Sequence, residues 1–280
     1  MNKEFKTYKE FLNESKGFDQ SKFPLEDPEE IKQWIKENLE GKINQFQKHL
    51  LSGDWEIDKQ GYFSTTGNLR LDKMNLTKLP FRIKSIGGSF EFHGNQLTSL
   101  EGLENLASVG GNFSCNDNQL TSLEGLENLE FVGSGFECYF NALIDFKGLE
   151  NLESVGDNFD CDYNQLTSLK DLENLEFVGG DFTCSKNKLL SKKIPFKVKG
   201  DIKFESSDNP YKYKDSIKYL ISLSEREQKK IIEDLMEFDS QAYRKLTNYA
   251  IKNNIELPLD KEVYKWNKAA NDLDDTGLEF

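Results

Sequence analysis

A unit of 23 residues recurs four times in direct succession, and nothing else in the chain constrains the fold as strongly. Leu97 opens LTSLEGLENLASVGGNFSCNDNQ and Leu120 opens LTSLEGLENLEFVGSGFECYFNA. Leu143 opens LIDFKGLENLESVGDNFDCDYNQ and Leu166 opens LTSLKDLENLEFVGGDFTCSKNK. The next unit starts at Leu189, and a looser one, two residues shorter, starts at Leu76. Degenerate turns from Gly67 and Gly200 bracket the array. Each full unit contains F-x-C-x-x-N-x-L, as in Phe113, Cys115, Asn118 and Leu120. Alternate residues of a strand share a face, so F-x-C predicts a short strand with Phe and Cys inward. Asn118, Asn141, Asn164 and Asn187 then turn the chain, and leucines spaced by three carry it back. Gly110-Gly111 and Gly179-Gly180 permit the tight turn into the next strand. One unit cannot bury its apolar edge alone, so the units must stack into a solenoid with a continuous core. About seven such strands would span roughly 30 Å.

The pattern F-x-C-x-x-N-x-L resembles the leucine-rich-repeat signature L-x-L-x-x-N-x-L, over roughly Gly67 to Ser207. The resemblance implies an α/β solenoid with a parallel β-sheet on its concave face. It also implies that each Asn side chain bonds backbone groups of adjacent turns. Met74 and Ser207 stand where Asn is expected in the end units. The wording GGxFxCxxNxLTSLEGL is similar to repeat proteins of tailed bacteriophages and other large viruses. The opening Tyr8-Lys9-Glu10-Phe11-Leu12-Asn13-Glu14 is similar to leaders of tailed-phage proteins.

Both ends of a solenoid need covering, because its outer turns otherwise expose core and strand edges. Residues 1–26 read as a flexible leader and 27–66 as an N-terminal helical cap. Asp27-Pro28-Glu29-Glu30 is a helix start, with Ile31, Trp34, Ile35, Leu39, Ile43, Phe46 and Leu50 at helical spacing after it. A bend is expected near Gly41 and a stop at Gly53. Residues 67–209 form the repeat array and 210–280 a C-terminal helical segment. There Ser224-Glu225-Arg226-Glu227 is a capping box. Further helices are expected over 215–222, 240–252 and 261–273, with 274–280 loose.

The net charge of −13 disfavours direct contact with nucleic acid or an anionic membrane, since phosphate binding wants a basic field. The acid is concentrated in Leu97–Lys188, which holds seventeen Asp and Glu against four Lys. Glu104, Glu127, Glu150 and Glu173 form one column of it, which reads as solubility or as a field that attracts a basic partner. No apolar run is long enough to span a bilayer, and the first residues lack the apolar stretch of a secretion signal. The expectation is a cytoplasmic protein.

Chemistry has few candidates. Cys115, Cys138, Cys161 and Cys184 repeat at one inward position, which makes a row of small hydrophobes rather than a converging metal site. No Cys follows Cys184, so a nucleophilic thiol in the C-terminal segment is excluded. His49 and His93 have no recognisable catalytic partners, and Asp160 and Asp162 lack a calcium-loop signature. We expect no enzyme activity, no metal and no cofactor.

The strand residues between Phe and Cys must point away from the core. One column reads Arg70, Glu91, Ser114, Glu137, Asp160, Thr183, Lys203; the next reads Asp72, His93, Asn116, Tyr139, Asp162, Ser185, Glu205. A third, just past the strand, reads Lys73, Gly94, Asp117, Phe140, Tyr163, Lys186, Ser206. Tyr139, Phe140 and Tyr163 stand together, ringed by Glu137, Asp160, Asp162 and Asp117, as a protein-interface hot spot would. The expected function is binding of a protein partner. Three alternatives stay open: an acidic nucleic-acid mimic, a virion component, and an enzyme seated in the C-terminal helices.

Overall fold

The computed structural model describes residues 19–42, 48–191, 193–204, 217–218, 220–253, 255 and 257–258. The chain winds into a solenoid of about 6 turns with two parallel sheets, followed by helices. Each full turn buries the same seven positions. In the unit from Leu120 these are Leu120, Leu123, Leu126, Leu129, Val132, Phe136 and Cys138, all fully buried. Their counterparts in neighbouring turns stack on them and make one core along the array. The rings of Phe90, Phe113, Phe136, Phe159 and Phe182 follow each other at centroid distances of 5.8, 5.0, 4.9 and 5.5 Å.

The Phe positions lie in a seven-stranded sheet of two-residue strands, from Leu69–Arg70 through Phe136–Glu137 to Ile202–Lys203. Register is strict, with Phe113 paired to Phe136 and Phe136 to Phe159. The array was expected to carry one sheet; it has two. A second sheet of eight strands runs through Ser108–Val109, Phe131–Val132, Ser154–Val155 and Phe177–Val178. The reason is the constant period. Every extended residue meets its own counterpart one strand spacing away, so even a Ser-Val pair finds a ladder partner.

The turns close through asparagine. Asn118, Asn141, Asn164 and Asn187 each accept a 3.0 Å bond from the amide of the Leu that opens the same unit. Asn141 Nδ2 donates to the carbonyls of Cys138 and, one turn back, Cys115, both at 3.1 Å. Asn95 does the same for the first turns, where Met74, in the Asn position, is fully buried and gives its amide to Asn95 Oδ1 at 2.9 Å. A second polar ladder runs beside the Phe strands: Asn68 Oδ1 accepts from Ser89 N at 2.7 Å, and Asn112 Oδ1 from Gly135 N at 3.0 Å.

At the N-terminal side, α1 (Pro28–Asn38) begins as expected, with Asp27 accepting from Glu29 N and Glu30 N at 2.9 and 3.0 Å. It places Ile31, Trp34 and Ile35 in the solenoid core. The helix is shorter than its apolar spacing suggested. It ends at Asn38, and Gly41 follows with φ +70°. The chain then forms an antiparallel pair, Trp55–Ile57 with Tyr62–Thr65, that extends the second sheet. Residues 19–26, placed by the sequence in a flexible leader, are docked: Phe23 is buried with its ring edge-on to Trp34, and Leu25 bridges to Phe81.

The C-terminal helices α2 (Glu225–Phe238) and α3 (Ser240–Lys252) share a separate core with Ile217, Leu220 and Leu190. The capping box at Ser224 is present. The expected helix over 261–273, the loose tail, Ser207 and the segment 8–14 lie outside the described residues. The docking of α2 explains three places where the repeats depart from consensus. Lys170, in the column that holds Glu101 and Glu124, reaches Asp234 at 3.1 Å and Glu237 at 2.7 Å. Lys193, one unit further, donates to the Phe238 carbonyl at 2.7 Å, where the helix end carries partial negative charge. Asp145, where other units have Ser, faces Lys230 at 3.8 Å.

The cysteines form the expected row in the core and are free thiols. Burial pushes the Cys115, Cys138 and Cys161 thiols well above the ordinary range. At about pH 8, where an exposed thiol is partly ionised, the folded protein should therefore resist a thiol reagent, and all four should react once denaturant is added. Fast labelling of the native chain, counted by mass spectrometry, would contradict a dry row.

Candidate functional site

The candidate surface is the outward side of the Phe sheet, and its middle turns carry the features. Glu137 and Asp160 are paired neighbours across strands. Next to them, Tyr139 and Phe140 meet edge to face at 5.7 Å, and Phe140 and Tyr163 stack at 4.3 Å with 22° between their planes. Phe140 is 48% exposed and Tyr163 46%, whereas Tyr139 is half-buried. The three aromatic residues singled out by the sequence are thus one contiguous cluster.

Backbone geometry adds something that residue spacing does not contain. The third column is a left-handed position throughout: φ is +55° at Lys73, +68° at Gly94, +54° at Asp117, +51° at Phe140, +53° at Tyr163 and +57° at Lys186. The chain needs this reversal because the next residue, the ladder Asn, must turn inward. Its amide still serves the sheet, as Phe140 N donates to Asp162 O at 3.1 Å and Tyr163 N to Ser185 O at 2.9 Å. Gly and Asp suit the conformation, while a bulky side chain there costs about 1 kcal/mol or more. Phe140 and Tyr163 hold strained backbone and an exposed ring at the same place. The stacking of the rings can at most offset that cost, which is why the pair stands out.

The acids around the rings are partly committed to the fold. Glu137 Oε2 accepts from Ser114 Oγ at 3.0 Å, Asp160 Oδ1 from Asp162 N at 3.0 Å, and Asp162 Oδ1 from Ser185 N at 2.5 Å. Asp117 is exposed and accepts one long bond, 3.4 Å, from Asn116 Nδ2. Burial raises the Tyr139 phenol pKa, and the carboxylates of Glu137, Asp117 and Asp160 raise it further. The field at the aromatic cluster is therefore negative.

Not all of the outward columns are open. Arg70, Asp72, Ser114 and Asn116 are buried, contrary to what strand alternation implies. Residues 49–51 run across the first strand: Arg70 N donates to Leu50 O at 2.7 Å, and Arg70 Nη1 to His49 O at 3.3 Å. Arg70 also grips Glu91 with two nitrogens at 3.1 and 3.2 Å. Burial raises the pKa of Asp72 beside them, opposed by His93 and Arg70. Ser114 Oγ shares its one proton between Asn116 Oδ1 at 2.6 Å and Glu137 Oε2 at 3.0 Å. The accessible face consequently starts near Asp117 and Glu137.

The acidic column on the return side has a local purpose. Glu104, Glu127 and Glu150 accept from the amides of Gly102, Gly125 and Gly148 at 2.8, 2.9 and 2.9 Å. Each of those glycines has φ of +100° or more. Asn128, Asn151 and Asn174 then donate to the Glu104, Glu127 and Glu150 carbonyls of the preceding turns at 2.6–2.7 Å. The motif Gly-Leu-Glu-Asn is thus a turn-closing device.

Sequence reasoning missed a cleft of about 160 Å³ between α2 and the return segments, lined by Ile144, Thr167, Asp171, Leu223 and Ile231 among others. The departures from Thr-Ser-Leu-Glu-Gly at Ile144, Asp145, Lys170 and Asp171 are the signal that marks it. Among the described residues, no group of His, Cys, Asp and Glu could hold a metal ion, and no helix is long and apolar enough to cross a membrane. The fold defines a repeat solenoid with two parallel sheets. No family model, curated protein or solved structure matches the chain.

Proposed function

We propose that this chain is a leucine-rich-repeat module that works in the cytoplasm by binding another protein, with α1 as its N-terminal cap, and that it is not an enzyme. The binding surface is the concave side of the Phe sheet. Tyr139, Phe140 and Tyr163 are its anchors, and Glu137, Asp160, Asp162 and Asp117 favour a basic partner. One observation carries the reading: two exposed, stacked rings sit on backbone whose conformation disfavours them. Strain kept at an exposed position motivates a functional role for the residues that impose it. The similarity of the repeat wording to proteins of tailed bacteriophages favours a host protein as partner. The acidic return column favours a nucleic-acid mimic less, because its carboxylates are spent on their own turns.

The double variant Phe140→Asn/Tyr163→Asn is the cleanest test, since Asn tolerates the left-handed conformation. Relief of strain and loss of ring stacking should offset each other, so stability is expected to change by less than about 1 kcal/mol. Affinity capture from bacterial lysate, read by mass spectrometry, should then lose the partner retained by the wild type. Equal recovery of every protein by a folded variant would refute the anchors.

A further inference from the structure

We infer that the aromatic cluster receives an arginine side chain of the partner, laid on the Asp117 side of the Phe140 ring. The inference rests on the protein-binding reading above and names the group that the surface recognises.

The column around the rings has a direction. Successive turns place Asp117, Phe140, Tyr163 and Lys186 in that order, all in the same left-handed conformation. Tyr163 covers one face of Phe140 at 4.3 Å. The opposite face is therefore on the side of Asp117, whose exposed carboxylate accepts, among the described residues, one long bond. Glu137 lies in the same turn as Phe140, three residues before it, and its charge reaches Tyr139. An aromatic face with a carboxylate beside it attracts a cation, while on the other flank Tyr163 already covers the ring and Lys186 follows it. Arginine suits this better than lysine. Its guanidinium is planar, weakly hydrated and able to lie on a ring while its edge pairs with a carboxylate, whereas the ammonium of lysine keeps its water. The neighbouring polar groups are largely occupied within the fold, so the ring face and Asp117 are what remain for recognition.

The test compares two synthetic peptides of equal length and charge, one alternating Arg and Gly, the other Lys and Gly, titrated at low salt into the full chain. The Arg peptide is expected to bind roughly three- to fivefold tighter, the range of an exposed cation–π contact. Phe140→Asn/Tyr163→Asn should remove that preference and leave the weaker Lys-peptide binding in place. Asp117→Asn should weaken the Arg peptide, and Lys186→Gln should not. Equal affinity for the two peptides, an Arg preference that survives loss of both rings, or no binding of either peptide would overturn the inference. The capture experiment decides separately whether the face binds a protein at all: partner loss without peptide discrimination would leave the module and remove the arginine.

Discussion

Asn164→Ala is expected to destabilise the protein by about 3 to 5 kcal/mol, measured by chemical denaturation. The side chain is buried and bonds three separate turn segments. Its Oδ1 accepts from Leu143 N at 3.0 Å, and its Nδ2 donates to Cys138 O at 3.0 Å and Cys161 O at 3.2 Å. Alanine leaves the Leu143 amide without an acceptor and with no water to take over, at about 1–3 kcal/mol, and removes one bond each from two carbonyls that keep those from Asn141 and Asn187, at about 0.5–1.5 kcal/mol apiece. The matched control is Asn151→Ala. Asn151 also bonds across turns, to Glu127 O at 2.7 Å, but it is exposed and solvent can replace the bond. Its loss should cost less than about 1 kcal/mol. Similar losses from the two would show that the inner ladder is not sealed.

Gly156→Ala is expected to cost about 3 kcal/mol or more although the residue is exposed, because the obstacle is backbone rather than burial. A Cβ there would lie 2.3 Å from Gly133 O and 2.8 Å from Gly133 C in the turn below. The same close approach recurs at Gly110, Gly133 and Gly179, with Cβ-to-carbonyl distances of 2.0–2.2 Å. Only the end turns place a side chain in this column, Thr66 and Lys199. A rigid carbonyl cannot swing aside, so the turns must part and the second sheet loosens locally. Gly135→Ala is the control, since its Cβ would meet Asn112 Oδ1 and Asn158 O at 3.5 Å, an ordinary contact. Thermal unfolding of the two variants should differ clearly; coincident melting temperatures would mean the turns are looser than this packing.

The centre of the solenoid was legible because four near-identical units fix both the period and the inward positions. Phe113 and Cys115 share a face by alternation, and their counterparts stack without further information. The second sheet was not legible. Ser108-Val109 and Phe131-Val132 are too short to show alternation, and only the period makes them pair. The first helix ends at Asn38 and does not reach Leu50, although Leu50 continues its spacing; Ile43 and Phe46 lie outside the described residues. Apolar spacing says nothing about the reversal at Gly41. On the candidate surface, alternation gave the direction of Arg70 but not the segment 49–51 that pairs alongside it. The strain at Phe140 and Tyr163 was half visible: Gly94 and Asp117 in the same column tolerate positive φ, whereas Lys73, Lys186 and the two aromatic residues do not favour it.

The attachment of α2 has a consequence for how such an array can lengthen. Units this alike invite duplication, and a copy inserted between the first and second full units would add one step of about 4.8 Å and extend every ladder without conflict. A copy inserted between the third and fourth would carry Asp145 one step away from Lys170 and Lys193, while α2 is a rigid rod that meets all three. Growth of the array is therefore open on the side of Leu97 and closed on the side of Leu166, so the surface bearing Phe140 and Tyr163 keeps a fixed distance from the helices however many units precede it.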